Sequence, residues 1–205
     1  MAYSEDVYKT IIKPSEGVFR DKGSKFIAYA YPILSEHEIK PILGKLKAEH
    51  PKARHWCWAM RLTPDRTVFR FNDDGEPSGS AGRPILNVLL SLDVTNILVV
   101  VVRYFGGTLL GVPGLINAYK VATQLALENN QIVKKSVLGY YKITFEYLVM
   151  NDVMKLLKAY QIEIDTQEFD NVCKISILIP KLDAMEVLGK LQKIESLHLQ
   201  FMYYC

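Results

Sequence analysis

The sequence predicts an α/β (α+β) fold in two domains, on three observations. Short runs rich in β-branched and aromatic residues alternate with runs of helical period along the chain. One of them, "ILVVVV" from Ile97 to Val102, is apolar throughout. Six residues are too few to span a bilayer but suit a strand buried on both faces. From Lys134 onward the order reads β-α-β-β-α-β, the ferredoxin-like arrangement of four strands with both helices on one face. The expected domains are 1–133 and 134–205, each a sheet with a single helical layer.

Taken in order, "KFIAYAYPI" (Lys25–Ile33) reads as a strand. "SEHEIKPILGKLKAEH" (Ser35–His50) reads as a helix, opened by a capping-box pair at Ser35 and Glu38 and continued by Ile39, Leu43 and Leu46 at helical spacing. Pro41 lies deep for that start, so the helix is expected to kink there or begin later. "HWCWAMRL" (His55–Leu62) and "RTVFRF" (Arg66–Phe71) form two strands joined through Pro64-Asp65. "PILNVLLSL" is a short helix with Pro84 in its first turn. "TNILVVVVRY" (Thr95–Tyr104) is the central strand, and an amphipathic helix runs from Leu115 to about Asn129. In the second half, "VLGYYKITFEY", "IEIDTQEF", "NVCKISILIP" and "LHLQFMYY" are strands, and "LVMNDVMKLLKAY" and "KLDAMEVLGKLQKI" are helices.

Composition narrows the functional classes. Hydrophobic residues make up 49% and charged residues 23%, which excludes disorder as the main state. A net charge of +3 is too mild to demand nucleic acid, and no DNA-specific motif is present. The excess lies in residues 1–133, which hold 16 Lys+Arg against 13 Asp+Glu. Three widely spaced cysteines, Cys57, Cys173 and Cys205, fit neither a disulfide framework nor a CxxC zinc site. The amino terminus lacks the pattern of a signal peptide, so the expected location is cytoplasmic, with no membrane partner.

Two loops concentrate the conformational specialists. The first is "NDDGEPSGSAGRP", Asn72–Pro84. Asp73, Asp74 and Glu76 supply oxygen ligands for a hard cation, but their spacing does not match an EF-hand, and no metal is expected. The second, "FGGTLLGVPG" (Phe105–Gly114), follows the central strand and opens a helix. Such a start can hold an anion through free N–H groups, with Arg83 and Arg103 adding charge. It is neither a P-loop nor GxGxxG, and Pro113 removes one N–H. His55 and Cys57 share one face of their strand, but neighbours there stand about 7 Å apart, which argues against a Cys–His nucleophilic pair. Trp56 and Trp58 share the other face. Core packing is the default for them and a base-stacking platform the lesser alternative. No Ser-His-Asp order, HExxH or nucleophile elbow appears, so no catalytic residue and no cofactor is expected, and the chain leans away from being an enzyme.

"DDGEPSGSAGRPIL" (Asp73–Leu86) followed by "VVVVRYFGGTLLGVPGLINAY" (Val99–Tyr119) resembles the two signature segments of the IMPACT family, in its bacterial YigZ-type branch. "HWCWAMRL" resembles the strand before the first signature. The resemblance implies a ribosomal protein S5 domain 2-like fold for 1–133. For 134–205 it implies a ferredoxin-like domain similar to domain V of elongation factor G. It also implies regulation of translation, since eukaryotic relatives compete for the activator of a starvation-sensing initiation-factor kinase. Two positions depart from the pattern: Pro113 stands where a glycine is usual and Asn117 where an arginine is usual. The arginine's loss weakens transfer of an anion- or RNA-binding role to this helix.

The function expected is therefore a translation-linked regulatory or binding protein that recognises RNA, the ribosome or a protein partner. The expected surface is Asp73, Asp74, Gly75, Glu76, Pro77, Ser78, Gly79 and Arg83 of the first loop with Arg103, Tyr104, Gly106, Gly107 and Gly111 of the second. The two loops are expected side by side, with Arg83 and Arg103 near Asp74 and Glu76. A plainer reading is that one of these arginines forms an internal ion pair that locks the loop. The alternative function is an enzyme acting on a phosphorylated or anionic small molecule at the helix start after Gly111.

Overall fold

The computed structural model describes residues 6–205. It divides into two compact units, one of Tyr8–Lys135 and the other of Ser136–Cys205 with Asp6 and Val7.

The first unit is built on a five-stranded antiparallel sheet of order β2-β3-β6-β4-β5. Its strands are β2 (Ser15–Asp21), β3 (Ser24–Pro32), β4 (His55–Leu62), β5 (Val68–Asn72) and β6 (Ile97–Tyr104). A further strand, β1 (Val7–Ile11), pairs with β7 (Ile132–Ser136) in a separate two-stranded sheet. The helices are α1 (Ile39–Glu49), α2 (Gly82–Leu92) and α3 (Gly111–Glu128).

Every residue of β6 from Ile97 to Val102 is fully buried, so both faces of the sheet need cover. On one face Phe26, Cys57, Val99 and Val101 pack against Leu86, Leu89, Ala118 and Tyr119 of α2 and α3. On the other, Met60, Leu98 and Val100 pack against Ile39 and Leu46 of α1, with Trp56 and Trp58 at the margin. The unit thus has helices on both faces, not the single layer expected, because the central strand is apolar on both sides.

Local chemistry sets the boundaries. Glu38 accepts N–H bonds from Leu34 (2.7 Å) and Ser35 (3.0 Å), and a short 3₁₀ turn precedes α1. Pro41 then falls in the first turn of α1, where its missing N–H costs nothing. α3 begins at Gly111, four residues before the expected Leu115, because Pro113 is likewise a first-turn proline and not a breaker.

The second unit has the sheet order β11-β8-β10-β9, all antiparallel. Its strands are β8 (Leu138–Glu146), β9 (Glu163–Glu168), β10 (Val172–Pro180) and β11 (His198–Tyr204). Ile143, Phe145, Ile175 and Ile177 face α4 (Met150–Ala159) and α5 (Lys181–Leu191), through Val153, Leu157, Val187 and Leu191. This is the ferredoxin-like βαββαβ topology. Among the described residues, no helix is long and apolar enough to cross a membrane.

Candidate functional site

Antiparallel pairing brings the end of β5, the start of β4 and the end of β6 to one edge of the sheet: Trp58 faces Asn72, and His55 faces Arg103. Both glycine-rich loops leave from that edge, the first into α2 and the second into α3, so they lie side by side.

The first loop is folded around its own carboxylates. Asp73 accepts N–H bonds from Gly79 (2.9 Å), Ala81 (3.1 Å) and Gly82 (2.8 Å). It therefore caps α2 from nine residues upstream, placing a negative charge at the positive end of that helix. Asp74 and Gly75 follow with left-handed φ of 42° and 86°, which turns the chain back over β4. There the Asp74 carboxylate takes the N–H of Trp56 at 2.7 Å, and its carbonyl accepts the Nδ1–H of His55 at 2.8 Å. Gly82 lies so near β5 that a Cβ would sit 2.8 Å from the backbone of Asn72.

Glu76 goes inward. It is 9% exposed and accepts bonds from Arg103 Nη1 at 2.5 Å and from the Tyr119 hydroxyl at 2.7 Å. Arg103 is 5% exposed, its guanidinium between the rings of Phe26 (5.4 Å) and Phe105 (5.6 Å). Cys57 Sγ completes the cluster, 3.3 Å from the Tyr119 hydroxyl and 3.0 Å from the Asp73 carbonyl. Burial pushes the Cys57 thiol well above its ordinary pKa, and burial with the neighbouring Cys57 and Glu76 does the same to the Tyr119 phenol. Both stay protonated at neutral pH, so this thiol is no nucleophile. The cluster locks the first loop to α3 and β6 by the internal ion pair of the plainer reading.

The remaining expected residues divide. Pro77 and Ser78 are exposed at the tip. Gly79 takes a left-handed φ of 75°. Arg83 is exposed and lies 5.4 Å over the Phe71 ring, away from the ion pair. Tyr104 points to the other face, where its hydroxyl is 2.9 Å from His50 Nδ1. Gly106 is a close approach: a Cβ there would fall 1.9 Å from the carbonyl carbon of Gly23. Gly107 and Gly111 have left-handed φ of 88° and 71°. The first turn of α3 carries Val112 and Pro113 and no charged side chain, so an anion would find only backbone there.

Three features escaped the sequence reading. Tyr119, the last residue of the second signature, is the bridge between Glu76 and Cys57. Cys57 serves as a buried hydrogen-bonding group. The second loop is apolar and exposed: Leu109 is 81% exposed, and Phe105, Val112 and Ile116 also stand in solvent. The last was readable, because a glycine-rich loop containing "TLLGV" has little reason to be apolar unless it touches something. Among the described residues, no group of three or more His, Cys, Asp or Glu is placed to hold a metal ion.

A family model described as the Impact N-terminal domain matches residues 22–127, within the first unit and including both loops. An IMPACT family member of Haemophilus influenzae is 37% identical over 163 residues, 78% of this chain and 79% of that protein. The IMPACT family member YigZ of Escherichia coli is 33% identical over 172 residues, 83% of this chain and 84% of that one. A crystal structure described as that of a hypothetical protein superimposes with a TM-score of 0.79 at 31% identity, covering 97% of this chain and 98% of its own.

Proposed function

The chain belongs to the IMPACT family, and from that premise we propose that it is a translation-linked regulatory protein that docks a protein partner through its second glycine-rich loop. The link to translation rests on the family and on the role the resemblance implies for its eukaryotic members. The choice of protein over RNA rests on one observation. At the loop end of the first unit, Phe105, Leu109, Val112 and Ile116 stand in solvent, while the signature arginine, Arg103, is turned inward onto Glu76. Exposed apolar side chains on a rigid support favour protein contact, whereas a phosphate backbone needs cations at the surface.

The test uses Leu109→Glu, whose side chain is free enough in solvent to leave folding intact. Wild-type protein is immobilised and offered purified ribosomes and the soluble factors of translation, at low and at high salt. The expected result is retention of an identified protein component at both salts, and its loss in the variant with an unchanged melting curve. Retention of RNA alone, abolished by salt and indifferent to Leu109→Glu, would overturn the protein reading.

A further inference from the structure

We propose that the groove between α1 and β5 is a nucleotide site, taking the base and phosphate of a nucleotide unit. The groove lies on the α1 face of the sheet, opposite the Glu76–Tyr119 cluster, and has a volume of about 460 Å³. That falls within the range of small-ligand sites.

Its shape follows from two features of the chain. β5 is the edge strand, and α1 lies over the centre of the sheet, so the α1 face of β5 is left partly open. Gly44 then removes the side chain that would fill the gap: a Cβ there would meet nothing within 4 Å. Trp58 and Leu43 line the apolar part, and Trp58 is half-buried.

The rim is cationic. Lys40 and Lys47 lie on α1 seven residues apart, two turns or about 10 Å along one face. Arg70 stands across from them on β5, 3.3 Å from Glu36, the one carboxylate of the lining. Three cations against one anion leave net positive charge around an indole. A planar base stacks on such a side chain, and its phosphate is attracted to the lysines. Lys47 already lies 5.3 Å from the Trp56 ring, so this rim tolerates a cation beside an aromatic.

Two sources share this chemistry, a free mononucleotide and a unit of an RNA strand, and the experiment separates them. The full chain is titrated with AMP by calorimetry and with a fluorescently labelled hexa-adenylate RNA by anisotropy. The groove is filled by Gly44→Leu, which the open space accepts and which a helix interior prefers to glycine. Its rim is inverted by Lys40→Glu with Lys47→Glu.

We expect at least one probe to bind. Gly44→Leu should weaken it tenfold or more without lowering the melting temperature, the double charge reversal should abolish it, and Leu109→Glu should leave it unchanged. RNA affinity should fall with salt at a log–log slope of about −1.4 for two phosphate contacts, one at each lysine. Equal affinity for AMP and hexa-adenylate assigns the site to free nucleotides, and much tighter RNA binding assigns it to a strand. Binding of neither probe, binding indifferent to Gly44→Leu, or equal competition by a polyglutamate peptide would each overturn the proposal.

Discussion

The two glycine-rich loops leave the same edge of the same sheet and obey opposite rules. The first, from Asp73 to Ala81, spends its charge inside: Asp73 holds three backbone N–H groups, Asp74 one, and Glu76 an arginine and a tyrosine. The second, from Phe105 to Leu110, is held chiefly by its ends, with Gly106 donating to the Ser24 hydroxyl at 3.1 Å, and it leaves Phe105 and Leu109 in water. A run of acids and glycines looks like a ligand site, and a run of leucines and glycines looks like packing. Here the acidic loop is the scaffold and the apolar loop is the surface.

The contrast breaks most sharply at Glu76. Glu76→Ala leaves Arg103 buried without its carboxylate and Tyr119 without an acceptor. Removing one partner of a buried pair costs about 3–5 kcal/mol. Denaturant unfolding of the variant should show that loss. A loss below about 1 kcal/mol would mean that the first loop is held by something other than this pair.

How much of this was legible depends on how local each signal is. β4 was read to the residue from "HWCWAMRL", and the βαββαβ order of the second unit was read from alternation and helical period alone. β2 was missed because "SEGVFRD" is an edge strand with little apolar alternation, and its Val18 faces solvent. β1 and β7 were missed because two short strands mean little until each finds the other across the chain. The Arg103–Glu76 pair could be named only as one of two outcomes. Arg103 and Glu76 stand 27 positions apart, and only the register of β4 against β6 brings the first loop over β6.

A second, smaller effect concerns how the first loop starts α2. Asp73→Ala removes the acceptor of three N–H bonds at a helix start, and we expect a loss of about 2–3 kcal/mol. Asp73→Asn keeps an acceptor and loses the charge, so it should cost about half as much. Both are read from denaturant midpoints. Equal losses in the two variants would mean that the Ala81 and Gly82 bonds, which the one amide oxygen can still accept, contribute little beside the charge and the Gly79 bond.

The smallest expected effect is a pH dependence of the buried cluster that holds the first loop, where Cys57 of β4 and Tyr119 of α3 meet Asp73 and Glu76. Burial raises the Cys57 thiol well above its ordinary value of 9.0, while the unfolded chain leaves that thiol exposed. Below pH about 9 both states keep the proton and its contribution is fully present. Above it the unfolded state loses the proton first, so stability falls as pH rises, by up to about 1.4 kcal/mol per pH unit. The Tyr119 phenol is raised in the same direction from 10.0 and joins above pH about 10. Cys57→Ala should make the decline above pH about 9 shallower, leaving the part due to Cys205, whose thiol burial also raises from 9.0, until the tyrosine range is reached. Its stability at neutral pH will also change, because a hydrogen bond and a little volume are lost, so the slopes are what must be compared. Leu109→Glu, in the second loop, should keep the wild-type slope. If Cys57→Ala declines from pH 9 as steeply as wild type, then water reaches the cluster, and the lock that distinguishes the two loops is looser than its geometry implies.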